Sequence, residues 1–108
     1  MVSTNRLISG KRYEIHALVK NEKCLVQEFI DDCQVSDRKK IIALLNRAAD
    51  NGPPKNKEKF RAVKKTLWEF KSYQVRILCV FDNDRIIILS HGFIKKSKKR
   101  RKEKSIRQ

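Results

Sequence analysis

The stretch Leu67–Lys96, LWEFKSYQVRILCVFDNDRIIILSHGFIKK, constrains the fold of this chain more than any other. It divides into three β-rich runs, about Thr66–Lys71, Gln74–Phe81 and Arg85–His91, separated by Ser72-Tyr73 and Asp82-Asn83-Asp84. Trp68, Phe70, Val75, Ile77, Cys79 and Phe81 alternate with Glu69, Lys71, Gln74, Arg76, Leu78 and Val80. A period of two is that of strands with two distinct faces. Three runs joined by such short turns predict a three-stranded antiparallel unit. A two-residue loop at Ser72-Tyr73 sets Phe70 opposite Val75 and Glu69 opposite Arg76. A loop at Asn83-Asp84 sets Asp82 opposite Arg85 and Arg76 opposite His91; a three-residue loop instead sets Arg76 opposite Ser90. The two-residue reading puts Glu69, Lys71, Arg76 and His91 on one face, and Trp68, Phe70, Ile77 and Phe81 on the other. The one acid on the first face, Glu69, is expected to pair with Arg76 across the strands.

Charge narrows the class of partner. The 108 residues carry a formal charge of +15. The first fifty hold nine basic and seven acidic residues, the remainder eighteen and five. A half that basic points to a polyanion, most commonly nucleic acid. An anionic membrane is the rival, but no apolar run is long enough to cross a bilayer. Cys24, Cys33 and Cys79 are odd in number, far apart and without a CxxC pair, so buried free thiols in a reducing cytoplasm are expected. MVSTNRLISG has no long apolar segment of the signal-peptide kind.

Along the chain, residues 1–10 read as a loose leader and Lys11–Val19 as a first strand, with His16 a surface strand residue. Asn21 is a plausible N-cap for a helix over about Glu22–Cys33, whose apolar stripe is Leu25, Val26, Phe29, Ile30 and Cys33. Ser36 suits the cap of a second helix, Asp37–Asn51, with Ile41, Ile42, Leu44, Leu45, Ala48 and Ala49 on one side. Gly52 fits the left-handed position after it, and Pro53-Pro54 forbid continuation. Both helices are too short to stand alone and need the apolar sheet face. Lys55–Lys65 reads as a connector, either a solvated loop or short helical turn, or a rim that contacts phosphates. Residues 1–99 are expected to form one domain. Beyond Lys99 the tail is polybasic, and like-charge repulsion favours disorder over residues 100–108.

The chemistry on offer is narrow. The histidines and cysteines have no metal-ligand spacing, and no Gly-rich phosphate loop exists, so neither metal nor cofactor is expected. A site of cations with one histidine suits RNA. A ribose 2′-OH attacks the adjacent phosphodiester when a base removes its proton; the phosphorane then needs positive charge and the leaving 5′-oxygen an acid. Arg76 offers a planar fork of donors, and His91 an acid or base in the neutral range. A lysine crowded by other cations is a further possible base. These residues alone would support only a nucleic-acid binder.

LWEFK, then VRILCVF, then IIILSHGFIKKSKK resembles the LxELR, RIxYxF, IVLLHGFxKKTxK signature of the phage-derived branch of the RelE/HigB-like toxins. The likeness covers about residues 12–99. It implies an α+β fold of order β-α-α-β-β-β, a mostly antiparallel sheet with two helices packed on one face. It also implies the toxin of a type II toxin–antitoxin system: a metal-independent endoribonuclease that cuts mRNA, commonly on the ribosome, and stops translation. A cognate antitoxin, often a helix-turn-helix protein, would neutralise it. By matching position, Arg76 takes the phosphate-stabilising place, Lys71 stands where arginine is more usual, and His91, Lys95 and Lys96 match HGFxKK. Lys71, Arg76, His91 and Lys95 are thus the candidate catalytic residues. Lys57, Lys59, Arg61, Lys64, Lys65, Phe93, Lys96, Lys98 and Lys99 are the candidate nucleic-acid contacts, although Phe93 fits the core better than a base stack. Lysine at position 71 keeps the charge and loses the planar fork. Relatives of this branch often continue into a helix where this chain turns polybasic. A non-catalytic RNA- or ribosome-binding module, or a DNA-binding partner of the antitoxin, stays open as the alternative.

Overall fold

The computed structural model describes residues 2–83 and 85–95. Its elements are β1 (Val2–Ser9), β2 (Glu14–Lys20), α1 (Leu25–Asp32), α2 (Val35–Asn51), β3 (Phe60–Ala62), β4 (Trp68–Ser72), β5 (Val75–Asn83) and β6 (Ile86–Ile94). They build one six-stranded sheet in the order β1-β2-β6-β5-β4-β3. Neighbours are antiparallel except β2 and β6, which run parallel. The α+β class and the two helices after a first strand are as expected. Two strands were not.

The supposed leader is β1. It pairs with β2 from Val2↔Lys20 to Ser9↔Glu14. Most of its side chains are exposed, so its own pattern carries no strong apolar signal. What holds it is the open edge of β2, whose backbone donors and acceptors need partners. The second addition, β3, lies within the expected connector. Its anchor is Phe60, which is buried and stacks on Trp68 at 5.0 Å between ring centroids. Phe60 also pairs with Phe70 across the strands and lies 4.8 Å from its ring.

The helix ends also differ from expectation. Asn21 and Glu22 occupy the left-handed region, at φ 53° and 67°. Lys20 and Lys23 exchange both backbone hydrogen bonds at 2.9 Å. The segment is therefore a tight turn continuing β2. Helix α1 starts only at Leu25, after Cys24, without a side-chain cap. Helix α2 starts at Val35, after Gln34, so Ser36 lies inside it. Its far end is as predicted: Gly52 takes φ 93° and its N–H donates to the Ala48 carbonyl at 2.8 Å.

Both helices cover one sheet face. Val26 and Ile30 of α1, with Ile41, Leu45, Ala48 and Ala49 of α2, meet Ile15, Ala17, Phe70, Val75, Ile77, Cys79, Ile87 and Leu89. Full burial of each large apolar side chain stabilises by about 1.5–3 kcal/mol, which short helices need. Leu25 and Ile42, expected on the stripes, are exposed. The carbonyl of Ala49 accepts from both Arg12 and Tyr13 at 2.9 Å, docking the end of α2 on the β1–β2 turn. Gly10 in that turn lies so close to Ala49 that a Cβ would overlap it.

The strand register moved without disturbing the faces. The β4–β5 turn is Tyr73-Gln74, with Tyr73 left-handed at φ 58°, and Lys71 therefore faces Arg76 and Phe70 faces Ile77. This is a shift of two residues from the expected pairing, and a shift of two keeps every side chain on its side. At the next turn Asn83 pairs with Ile86, in place of Asp82 with Arg85; Asp84 lies outside the described residues. Among the described residues no helix is long and apolar enough to cross a membrane.

All three cysteines are free, but only Cys79 is fully enclosed; Cys24 and Cys33 are half-buried. Burial pushes the Cys79 thiol up to about 12. Iodoacetamide at neutral pH should therefore leave Cys79 unmodified in the native protein and alkylate it in denaturant. Mass spectrometry of the labelled chain reads this, and native labelling of Cys79 would mean that the β5 core is open.

Candidate nucleic-acid interface on the open sheet face

The other sheet face carries no helix, and its side chains fall in rows across the strands. One row is Arg61, Glu69, Leu78 and His91, from β3 to β6. The next is Lys71, Arg76 and Phe93. A third holds Val80, Ile88, His16 and Arg6. Directly opposed side chains lie roughly 4.5–5.5 Å apart at Cβ, and diagonal ones roughly 7–8 Å. Lys71 and Phe93 thus flank Arg76 directly, and His91 sits diagonal to it.

Two irregularities set this arrangement. Leu78 pairs with His91 while Cys79 pairs with Leu89, so Ser90 is an extra residue on β6. Phe81 pairs with Ile87 while Asn83 pairs with Ile86, so Asp82 is an extra residue on β5. Without the Ser90 bulge, His91 would lie opposite Ile77 and face the helices. With it, Gly92 faces α1. A Cβ on Gly92 would stand 2.5 Å from Cδ2 and 2.7 Å from Cε2 of Phe29. The glycine of the HGF segment is thus the floor beneath α1, and its neighbours His91 and Phe93 point the other way. Phe93, expected to suit the core, is exposed beside Arg76. Burial of Gly92 under Phe29 leaves no room for Phe93 on the core side.

The hydrogen bonds assign local roles. Arg76 curls back: its Nη1 donates to the carbonyls of Tyr73 and Val75. Its buried Nε has no hydrogen-bond partner among the described residues. Glu69 does not pair with Arg76. The two-residue shift puts Leu78 opposite Glu69, and the carboxylate is held by Nε of Arg61 at 3.2 Å. Arg61 is therefore committed to a nearly buried acid. His91 Nδ1 lies 3.0 Å from Ser90 Oγ, and its ring is 6.4 Å from that of Phe93. That hydrogen bond engages Nδ1 and leaves Nε2 as the ring nitrogen not bonded to Ser90.

Of the other expected residues, the backbone N–H of Lys95 donates to Gln74 O at 2.7 Å, which brings the end of β6 beside the turn that Arg76 grips. Lys57, Lys59, Lys64 and Lys65 are exposed around β3. Lys96, Lys98, Lys99 and the tail 100–108 lie outside the described residues. Among the described residues no cluster of three His, Cys, Asp or Glu side chains could hold a metal.

The model of the family Phage derived protein Gp49-like matches residues 28–107. The chain belongs to this Gp49-like family. Its match begins within α1 and takes in α2 and β3–β6, the elements that carry the open-face rows from Arg61 to His91. No curated protein matches the chain. The phage-derived, toxin-like character implied by the HGFIKK segment therefore holds at the level of the family.

His16 of the Gp49-like chain is more engaged than a surface strand residue need be. Its Nε2 lies 3.1 Å from Glu14 Oε1 and its Nδ1 3.3 Å from Thr4 Oγ1. The His16 hydrogen bond, with Arg6 nearby, holds the Glu14 carboxyl below the usual range. Two residues that sequence periodicity could not find are Lys40 and Arg47 of α2, which come to the Lys71 end of the sheet. Both lie off the apolar stripe, where a cation ordinarily faces solvent.

Gly92→Ala should cost about 1–3 kcal/mol, since the new methyl meets both the Phe29 ring and the Arg76 carbonyl. Adding Phe29→Ala should return part of that loss. Urea unfolding of the single and double variants measures the coupling; additive effects would mean that Phe29 does not rest on Gly92.

Proposed function

We propose that this Gp49-like protein is a toxin of the RelE/HigB kind: a metal-independent endoribonuclease that cuts mRNA, on the ribosome, and is neutralised by a cognate antitoxin. The observation that carries this reading is the meeting of Lys71, Arg76, Phe93 and His91 on one uncovered face, where Ser90 orients the imidazole. The family match supports it independently.

The chemistry divides among these groups as follows. Phe93 supplies an exposed ring on which a base can stack. Arg76, released from the Tyr73 and Val75 carbonyls, offers its guanidinium to the phosphate, and its unpartnered Nε is a further donor. Lys71 adds charge beside it as the phosphorane forms. In this reading His91 and Lys95 take the 2′-OH proton and return one to the leaving 5′-oxygen. The products would be a 2′,3′-cyclic phosphate and a 5′-hydroxyl.

A non-catalytic RNA-binding module is favoured by two observations: Arg76 is engaged by its own turn, and the position beside it holds lysine rather than the arginine of related signatures.

The test is end-group analysis of RNA incubated with the protein in excess chelator, with and without translating ribosomes. A cyclic or 3′-phosphate is expected, and a single 2′-deoxy substitution at the cut nucleotide should abolish the break. Products ending in 3′-hydroxyl would overturn the mechanism, and no cleavage of any RNA would favour the binding module. His91→Ala or Lys95→Ala should slow the cut by roughly 10²–10⁴-fold. Arg76→Ala should do so comparably while costing about 1–2 kcal/mol of stability, the worth of its hold on the turn.

A further inference from the structure

The outer edge of β4 is covered by β3 and the residue before it as far as Lys71, which leaves its Ser72 end beside α2. Strand pairing ends at Phe60↔Phe70, and the Lys71 N–H donating to Lys59 O at 2.8 Å continues it by one bond. A groove of about 220 Å³ opens there between α2 and the sheet edge. Ala43 and Leu44 form its apolar side, Ser72 and Tyr73 its end, and Lys40, Arg47, Lys59 and Lys71 its rim. No carboxylate lines it. Asp37 lines a neighbouring groove, which shares Lys40 and Tyr73 with this one.

These four cations are uncompensated. The ion pairs among the described residues are Arg6–Glu14, His16–Glu14 and Arg61–Glu69, and none involves the groove. Lys40 instead holds its ammonium 4.3 Å from the centre of the exposed Tyr73 ring. A solvated helix face would account for one or two unpaired lysines. It does not account for four cations from three segments converging on one concave site without an acid. An anion bound there would be attracted to all four, and Lys40 and Arg47, roughly 10 Å apart along α2 by helix rise, span more than one anionic group.

Lys71 gives the direction of that chain. It stands opposite Arg76 on the open face and also lines the groove. We propose that the groove binds the phosphodiesters of the RNA strand flanking the one held by Arg76, so that the strand passes over the β4 edge onto α2. Lys40 and Arg47, one face of α2 seven residues apart, are its far contacts, and Tyr73 at the end of the groove offers a ring to a base. This rests on the reading of the open face as an RNA site, and extends it to a second surface.

The test uses the full chain and single-stranded RNAs made uncleavable by 2′-O-methyl groups. One is about 4 nucleotides long, enough for the open face; the other is about 12, enough to reach the groove. Wild type should bind the longer RNA more tightly and with a steeper salt dependence. The double variant Lys40→Gln/Arg47→Gln should lose that gain, its slope of log K against log salt falling by roughly 0.7 for each phosphate released. Lys39→Gln, an exposed neighbour outside the groove, should behave as wild type. Both altered side chains are on the solvent side of α2, and an unchanged unfolding midpoint verifies the fold. If the double variant keeps the wild-type slope while Arg76→Ala weakens binding of the short RNA, the groove proposal fails and the open-face reading stands. If wild type binds neither RNA at low salt, the open-face reading fails with it.

Discussion

The contact of Phe29 with Gly92 is the constraint on which the rest of the site depends. It brings α1 down onto β6 more closely than any side chain at position 92 would allow. Alternation in a strand is strict, so a glycine that must face the helix sends His91 and Phe93 to the other side. The extra residue at Ser90 makes this compatible with the pairing of Cys79 to Leu89 further along the same strands. Bulges commonly re-aim a side chain in this way. Here the same residue that creates the bulge also hydrogen-bonds the re-aimed imidazole.

Electrostatics divides the cations of this protein into two kinds. Arg61 is held by Glu69 and Arg6 lies near Glu14, so these belong to the sheet. Lys40, Arg47, Lys59 and Lys71 have no carboxylate within pairing distance among the described residues. Exposed charges repel only weakly in water, which is why a chain so basic folds at all. The same weakness means that the unpaired cations add little to stability and remain available to a polyanion. Arg76 stands between the two kinds. Its guanidinium braces the β4–β5 turn, and any phosphate it binds must compete with the Tyr73 and Val75 carbonyls.

Local pattern carried much of the fold. The alternation from Trp68 to Phe81 assigned both faces of the central strands correctly even though the turn lay elsewhere. Pairing can slip by two residues without exchanging faces, so face assignment is sturdier than register. The stop at Gly52-Pro53 was legible because it depends on backbone stereochemistry alone. The expected Glu69–Arg76 pair failed for the complementary reason. A cross-strand partner is a statement about register, and register is decided by which turn closes most easily.

By itself, then, the chain determined its strands and helices through periodicity, the positions of its breakers through stereochemistry, and its polyanion-seeking character through net charge. All of these are properties of residues and their near neighbours. Tertiary structure alone decided that the first segment would pair as β1, that Phe60 would fold part of a basic connector into β3, and that Phe93 would face outward. It also brought Lys40 and Arg47 to Lys71. Each of these depends on a partner distant in the sequence: the open edge of β2, the Trp68 and Phe70 rings, Phe29 above Gly92, and the Ser72 end of β4 beside α2. No local pattern encodes such a partner, because the free energy that selects it exists only once both segments are in place.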